Sequence, residues 1–192
     1  MNFENLFFFL EIGAVFLAVA YLLLAVRRDI RCWIAGIMSS SIYFVLMFTA
    51  NLYMESILQI FYIFMGVYGF NQWKSDIANT EEISIITWNL KTHLIVLGII
   101  LISSYFAGYI LDTYTDAKLP FLDSLTTFGA LFATYMVAKK ILENWIYWFL
   151  IDSVSIYLFI ERELYLTSIL FCLYLIIIIF GFRSWLAVFR AG

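Results

Sequence analysis

Asp152 stands inside a long apolar run, four residues after Trp148 and seven after Trp145, in a stretch that opens Asn144-Trp145-Ile146-Tyr147-Trp148. On a helix, positions i, i+3 and i+7 share a face, and Ser155 at i+10 extends the stripe. Indole faces stack on flat rings and attract cations. An acid at membrane depth is costly enough to be a functional candidate. The plainer roles are an interfacial belt for Trp145 and a structural hydrogen bond for Asp152. A second stripe runs Glu55, Gln59, Tyr62, Gly66, Gly69 and Trp73, in steps of 4, 3, 4, 3 and 4. Glu55 marks the outer end of that run, and Gln59 lies deeper and needs partners. Thr126 and Thr127, with Asp123 and Thr134, add hydroxyls on another segment. Ser39, Ser40, Ser41 and Tyr43 do so on a fourth, although small hydroxyl residues equally serve close helix contact. Together Asn144, Trp145, Trp148, Asp152, Gln59, Tyr62, Thr126, Thr127, Tyr43 and Glu55 suit a flat, polar heterocycle bearing a sugar, cationic or not.

Other chemistries lack their residues. His93 is the only histidine. It cannot build a multi-histidine metal centre, and its place beside Lys91 reads as interfacial. No HExxH, nucleophile elbow or phosphate loop occurs. The expectation is therefore no metal, no cofactor and no enzyme. An intramembrane enzyme would have only the isolated acids Glu55 and Asp152, which are also the two paper sites for Na⁺ or H⁺. Cys32 and Cys172 form no CxxC pattern and read as buried free thiols. The net charge of −3 comes without a basic stripe, which argues against nucleic acid.

These residues must be positioned by a membrane fold. The 192 residues are 65% hydrophobic and 13% charged, with a mean hydropathy of +0.96. A soluble domain is nearer ~45–50% apolar, so the bilayer is the solvent for most of this chain. Nine glycines and a single proline leave little for linkers. The expectation is one transmembrane domain over 1–192, all-α, with seven spans at about 6–26, 33–50, 53–73, 92–111, 121–138, 144–160 and 164–185. The first run follows Glu4 and Asn5 rather than a basic region, so it does not read as a cleaved signal. Nine basic residues (Arg27, Arg28, Arg31, Lys74, Lys91, Lys139, Lys140, Arg183 and Arg190) fall on one side, against Lys118 and Arg162 on the other. The positive-inside rule then puts the N-terminus outside and the C-terminus in the cytoplasm.

The chain also aligns with itself, without gaps, in the single register that sets Trp33 on Trp145. In that register Trp73 meets Trp185, Tyr62 meets Tyr174, and Gly69-Phe70 meets Gly181-Phe182. Leu52-Tyr53 falls on Leu164-Tyr165, Ser56-Ile57-Leu58 on Ser168-Ile169-Leu170, and Arg27-Arg28 on Lys139-Lys140. Matching tryptophans, tyrosines and a basic pair in one register exceeds what shared apolarity would give. The reading is two parallel three-helix repeats, about 6–73 and 121–185, joined by helix four at about 92–111. Transporters of the SWEET kind are built so, with substrate held near the midplane. Gly66, Gly69 and Gly181 offer either pivots for such a carrier or close packing.

The most specific stretches are Asp123-Ser124-Leu125-Thr126-Thr127, Lys139-Lys140-Ile141-Leu142-Glu143-Asn144-Trp145-Ile146-Tyr147-Trp148 with Asp152, and Leu52-Tyr53-Met54-Glu55 through Gln59, Phe61-Tyr62, Gly66, Tyr68-Gly69 and Trp73. Gly-Phe-Arg-Ser-Trp at 181–185 closes the pattern. Over nearly its whole length the chain resembles the PnuC family of bacterial vitamin transporters. The resemblance implies a SWEET-like fold, a homotrimer in the inner membrane, and facilitated diffusion of nicotinamide riboside without ATP or an obligatory ion. It implies retention of the vitamin by a separate cytoplasmic kinase. It also implies substrate contacts around Asn144, Trp145, Trp148, Gln59 and Tyr62. Thiamine and riboflavin are carried by relatives and also present flat rings. A scaffold that uses the repeat for packing alone is the alternative of another class.

Overall fold

The computed structural model describes residues 3–49, 53–80, 84–161 and 165–191, all-α with seven helices and no strand among them. They are α1 Phe3–Val26, α2 Arg31–Thr49, α3 Tyr53–Thr80, α4 Leu90–Tyr114, α5 Pro120–Ala138, α6 Asn144–Glu161 and α7 Tyr165–Ala191. Residues 1–84 and 85–192 form two compact units. The shortest helix, at 18 residues, is ~27 Å long at ~1.5 Å per residue, close to the ~30 Å hydrocarbon core. Among the described residues α1, α4, α5 and α7 are long and apolar enough to span on those grounds alone, and the apolar part of α2 is shorter, Arg31–Leu46. The protein is a polytopic helical membrane protein. Helices α3 and α6 carry most of the candidate polar residues.

In the first unit α2 packs against both α1 and α3. Helix α1 ends in a Schellman turn. Arg28 takes the left-handed position at φ 57°. Its N–H donates to Ala25 O at 3.0 Å and the Asp29 N–H to Leu24 O at 3.0 Å, satisfying carbonyls that the helix end would leave bare. Asp29 then starts α2, accepting the Arg31 N–H at 2.9 Å and its guanidinium at 2.5 Å. That guanidinium holds the Asp29 carboxyl below the usual carboxylate range. Ser39 donates from α2 to Ala14 O of α1 at 2.9 Å, so this serine works as interhelical glue.

The core of this unit is aromatic. Trp33 and Trp73 meet edge to face at 5.5 Å and 85°, and Tyr21 meets Trp33 at 6.0 Å. A methyl added at Gly69 would fall inside the Trp33 indole, and one at Gly66 would lie 2.5 Å from Ile37. These glycines serve close packing; a pivot there would have to break it.

The second unit is a row in which α4 packs on α5, α5 on α6, and α6 on α7. Asn89 caps α4, accepting the Thr92 N–H at 2.8 Å. Pro120 opens α5, where its missing N–H is harmless. Helix α5 ends as α1 does. Lys140 has φ 59°, its N–H donates to Val137 O at 3.0 Å, and the Ile141 N–H donates to Met136 O at 2.9 Å. Trp145 and Trp185 meet at 5.4 Å and 87°, with Gly181 so placed that a methyl would lie 2.5 Å from the Trp145 ring. The turn that ends α5 and the Trp–Trp–Gly packing pair with their counterparts in the first unit in the register that sets Trp33 on Trp145.

Two helices outrun their apolar segments. The span expected to end at 73 continues in α3 to Thr80, and that expected to end at 185 continues in α7 to Ala191. Neither extension contains glycine or proline, so nothing in the backbone stops the helix where the apolar residues stop. Cys32 is buried, but Cys172 is exposed on α7, against the expectation of two buried thiols. Cysteine is small and apolar enough to sit on a lipid-facing surface as readily as in a core.

Candidate functional site

Helix α6 buries Asn144, Trp145, Asp152, Ser155 and Leu158. Four of these carry polar groups, which need partners when removed from water. Asn144 is fully buried. Its Nδ2 donates back to Ile141 O at 2.7 Å, while its Oδ1 accepts nothing among the described residues. Trp145 is 1% exposed and belongs to the Trp185–Gly181 packing, with an indole N–H lacking a partner there. Trp148, one turn on, is half-buried. The two indoles expected on one helix face are therefore divided in environment, because Gly181 makes room to bury one of them against α7. Asp152 is 4% exposed at the middle of the helix, and Ser155 continues its stripe.

On α5, Thr126 turns its hydroxyl back to Asp123 O at 2.9 Å, and Thr127 is half-buried. Thr134 likewise donates to Ala130 O at 2.7 Å. Gly129 brings α5 close to α6, where an added methyl would lie 3.0 Å from Ile151. In the first unit Gln59 and Tyr62 are half-buried on α3 and Tyr43 is half-buried on α2. Glu55 lies in the first turn of α3, and its side chain lies outside the described residues.

A second polar cluster was not foreseen. His93 Nδ1 lies 3.0 Å from the Tyr147 hydroxyl, and its Nε2 lies 3.9 Å from Glu143. Glu143 also accepts the Trp88 N–H at 3.3 Å. The segment before α4 is extended and bridges the α5–α6 turn: Ile86 N–H donates to Lys140 O at 3.1 Å, and Leu142 N–H to Ile86 O at 2.8 Å. Lys140 is buried by this arrangement, which holds its ammonium below the usual lysine range. The lone histidine beside a charged turn was the available signal; its distant partner on α6 was not.

A cavity of about 220 Å³ lies between α6 and α7, lined by Trp145, Ile146, Phe149, Ile178, Ile179, Phe182 and Arg183. Its walls are apolar and largely outward-facing, and neither Trp148 nor Asp152 lines it.

A profile of the nicotinamide mononucleotide transporter family matches residues 8–187. The chain belongs to that family. Among curated relatives, the nicotinamide riboside transporter PnuC of Escherichia coli strain K12 is 21% identical over 188 residues, covering 85% of this chain and 79% of the relative. The protein of the same name from Shigella flexneri matches with the same figures. A crystal structure of the vitamin B3 transporter PnuC superposes with a TM-score of 0.74 at 19% identity, covering 95% of this chain and 83% of that one. As a member of this family the chain is a membrane transporter and not an enzyme. The resemblance read from its tryptophan and Gly-Phe-Arg-Ser-Trp stretches is correct.

Proposed function

We propose that this transporter carries nicotinamide riboside across the bacterial inner membrane by facilitated diffusion. The observation that carries the reading is the stripe on α6, where a half-buried Trp148 lies one turn from the buried Asp152. Such a stripe can hold a flat ring and bond a sugar or carboxamide. The family's description names a mononucleotide, yet residues 32–73, 92–117, 119–138 and 141–161 contain no lysine or arginine. A phosphate would cross those spans without a counter-charge, which favours the nucleoside over the nucleotide. Gln59 and Tyr62 on α3, Asn144 and Trp145 on α6, Thr126 and Thr127 on α5, Tyr43 and Glu55 complete the proposed contact set.

Seven crossings in two parallel three-helix repeats, joined by α4, are the proposed architecture. The recurrence of the Schellman turns and the Trp–Trp–Gly packing in one register supports it. Nine of eleven basic residues on one side support an external N-terminus and a cytoplasmic C-terminus. No chain of intramembrane ionisable groups suggests ion coupling, so net uptake would come from phosphorylation of the vitamin by a separate kinase. A homotrimer is proposed from family resemblance. Protein reconstituted in liposomes should exchange labelled nicotinamide riboside for unlabelled at equal rates with and without a proton or sodium gradient. Gradient-dependent accumulation would contradict uniport, and exchange of the mononucleotide in preference to the nucleoside would contradict the substrate.

A further inference from the structure

The Asp152 carboxyl group has no hydrogen bond or ion pair among the described residues, although the residue is 4% exposed at the centre of α6. A carboxylate so placed needs a partner or a counter-charge. Neither α5 nor α6 contains a lysine or arginine, and α7 has none before Arg183. The single histidine, His93, lies in the first turn of α4 and is engaged with Tyr147. The indole of Trp148 stands one turn from Asp152, and an indole face is itself attractive to cations. A carboxylate and an aromatic face on one stripe, with no fixed positive charge nearby in sequence or on the neighbouring helices, form the recognition set for a cationic ring.

Resting on the reading of the substrate as a pyridinium nucleoside, we infer that Asp152 is the counter-charge for the ring nitrogen and selects the cationic ring over an uncharged one of the same shape. The positive charge of a quaternary pyridinium is permanent, so the pairing needs no proton transfer. It is complete only while cargo is bound.

The test compares nicotinamide riboside with its uncharged 1,4-dihydro form, which keeps the sugar and carboxamide. Affinities are measured by calorimetry on purified full-length protein, wild type, Asp152→Asn and Asp152→Glu, each checked for folding by thermal melting. Wild type should prefer the cation by at least about tenfold, ~1.4 kcal/mol. Asp152→Asn should weaken the cation by about that factor while leaving the dihydro form within about twofold, and Asp152→Glu should recover part of the preference. Wild type that binds both forms alike, or an Asp152→Asn variant that loses both alike, overturns the counter-charge and leaves the vitamin-nucleoside reading intact. Folded wild type that binds neither form overturns that reading and the counter-charge with it.

Discussion

The two tryptophans of α6 have different surroundings and should fail differently when removed. Trp145 is sealed against Trp185 and Gly181, so Trp145→Ala should cost ~3–5 kcal/mol of stability through the cavity it leaves. Trp148 is half-buried. Trp148→Ala should leave the melting temperature within a few degrees and abolish vitamin binding, as a calorimetric titration beside a thermal melt would show. Gly181→Ala places a methyl 2.5 Å from an indole that cannot retreat and should cost ~1–3 kcal/mol. Gly98→Ala, with nothing within 4 Å of the added methyl, should be neutral or stabilising by up to ~1 kcal/mol. The residue types at these positions were legible in the sequence as a periodic stripe. Which indole is sealed was not, because that depends on a glycine on another helix, Gly181 of α7.

The turns that end α1 and α5 explain why basic pairs recur there. A cation at a helix C-terminus meets the negative end of the helix dipole, and Arg28 and Lys140 both occupy the left-handed position usually given to glycine. Arg28→Gly should therefore hold or raise stability by up to ~1 kcal/mol, while Arg28→Val should lose ~1–2 kcal/mol in a melting experiment. Helix existence followed from hydropathy because most apolar runs are bounded by charge. Helix length did not follow for α3 and α7, since the signal that marks the edge of the bilayer is not a signal that stops a helix. The extended stretch before α4 was equally hidden. Its two hydrogen bonds to the α5–α6 turn join residues far apart in sequence, and neither segment is long enough to show a period. Tyr147→Phe should detach His93 and lower stability by ~0.5–1.5 kcal/mol. A larger loss of transport than of stability would show that this cluster positions α6.

For the whole molecule, one ungapped self-alignment of the sequence corresponds to the same turn hydrogen bonds and the same indole pair in each compact unit. The recurring packing was legible because it demands repeated residues at the tight positions. The polar stripe was legible because apolar surroundings make each polar residue conspicuous. What the carrier transports is a question of a few contacts on one helix face, and composition has little power there when 20% of the residues are aromatic. If the proposed orientation holds, cysteines placed near Lys74 and near Lys118 should label from opposite sides of intact cells. Labelling of both from outside would contradict it.

The most direct measurement is calorimetric titration of the purified protein with nicotinamide riboside, thiamine and riboflavin, beside Trp148→Ala. Nicotinamide riboside should bind saturably, the other two weakly or not at all, and binding should be lost in a variant that still melts cooperatively. Undiminished binding by Trp148→Ala, or no binding of the nucleoside to folded wild type, would contradict the proposed function.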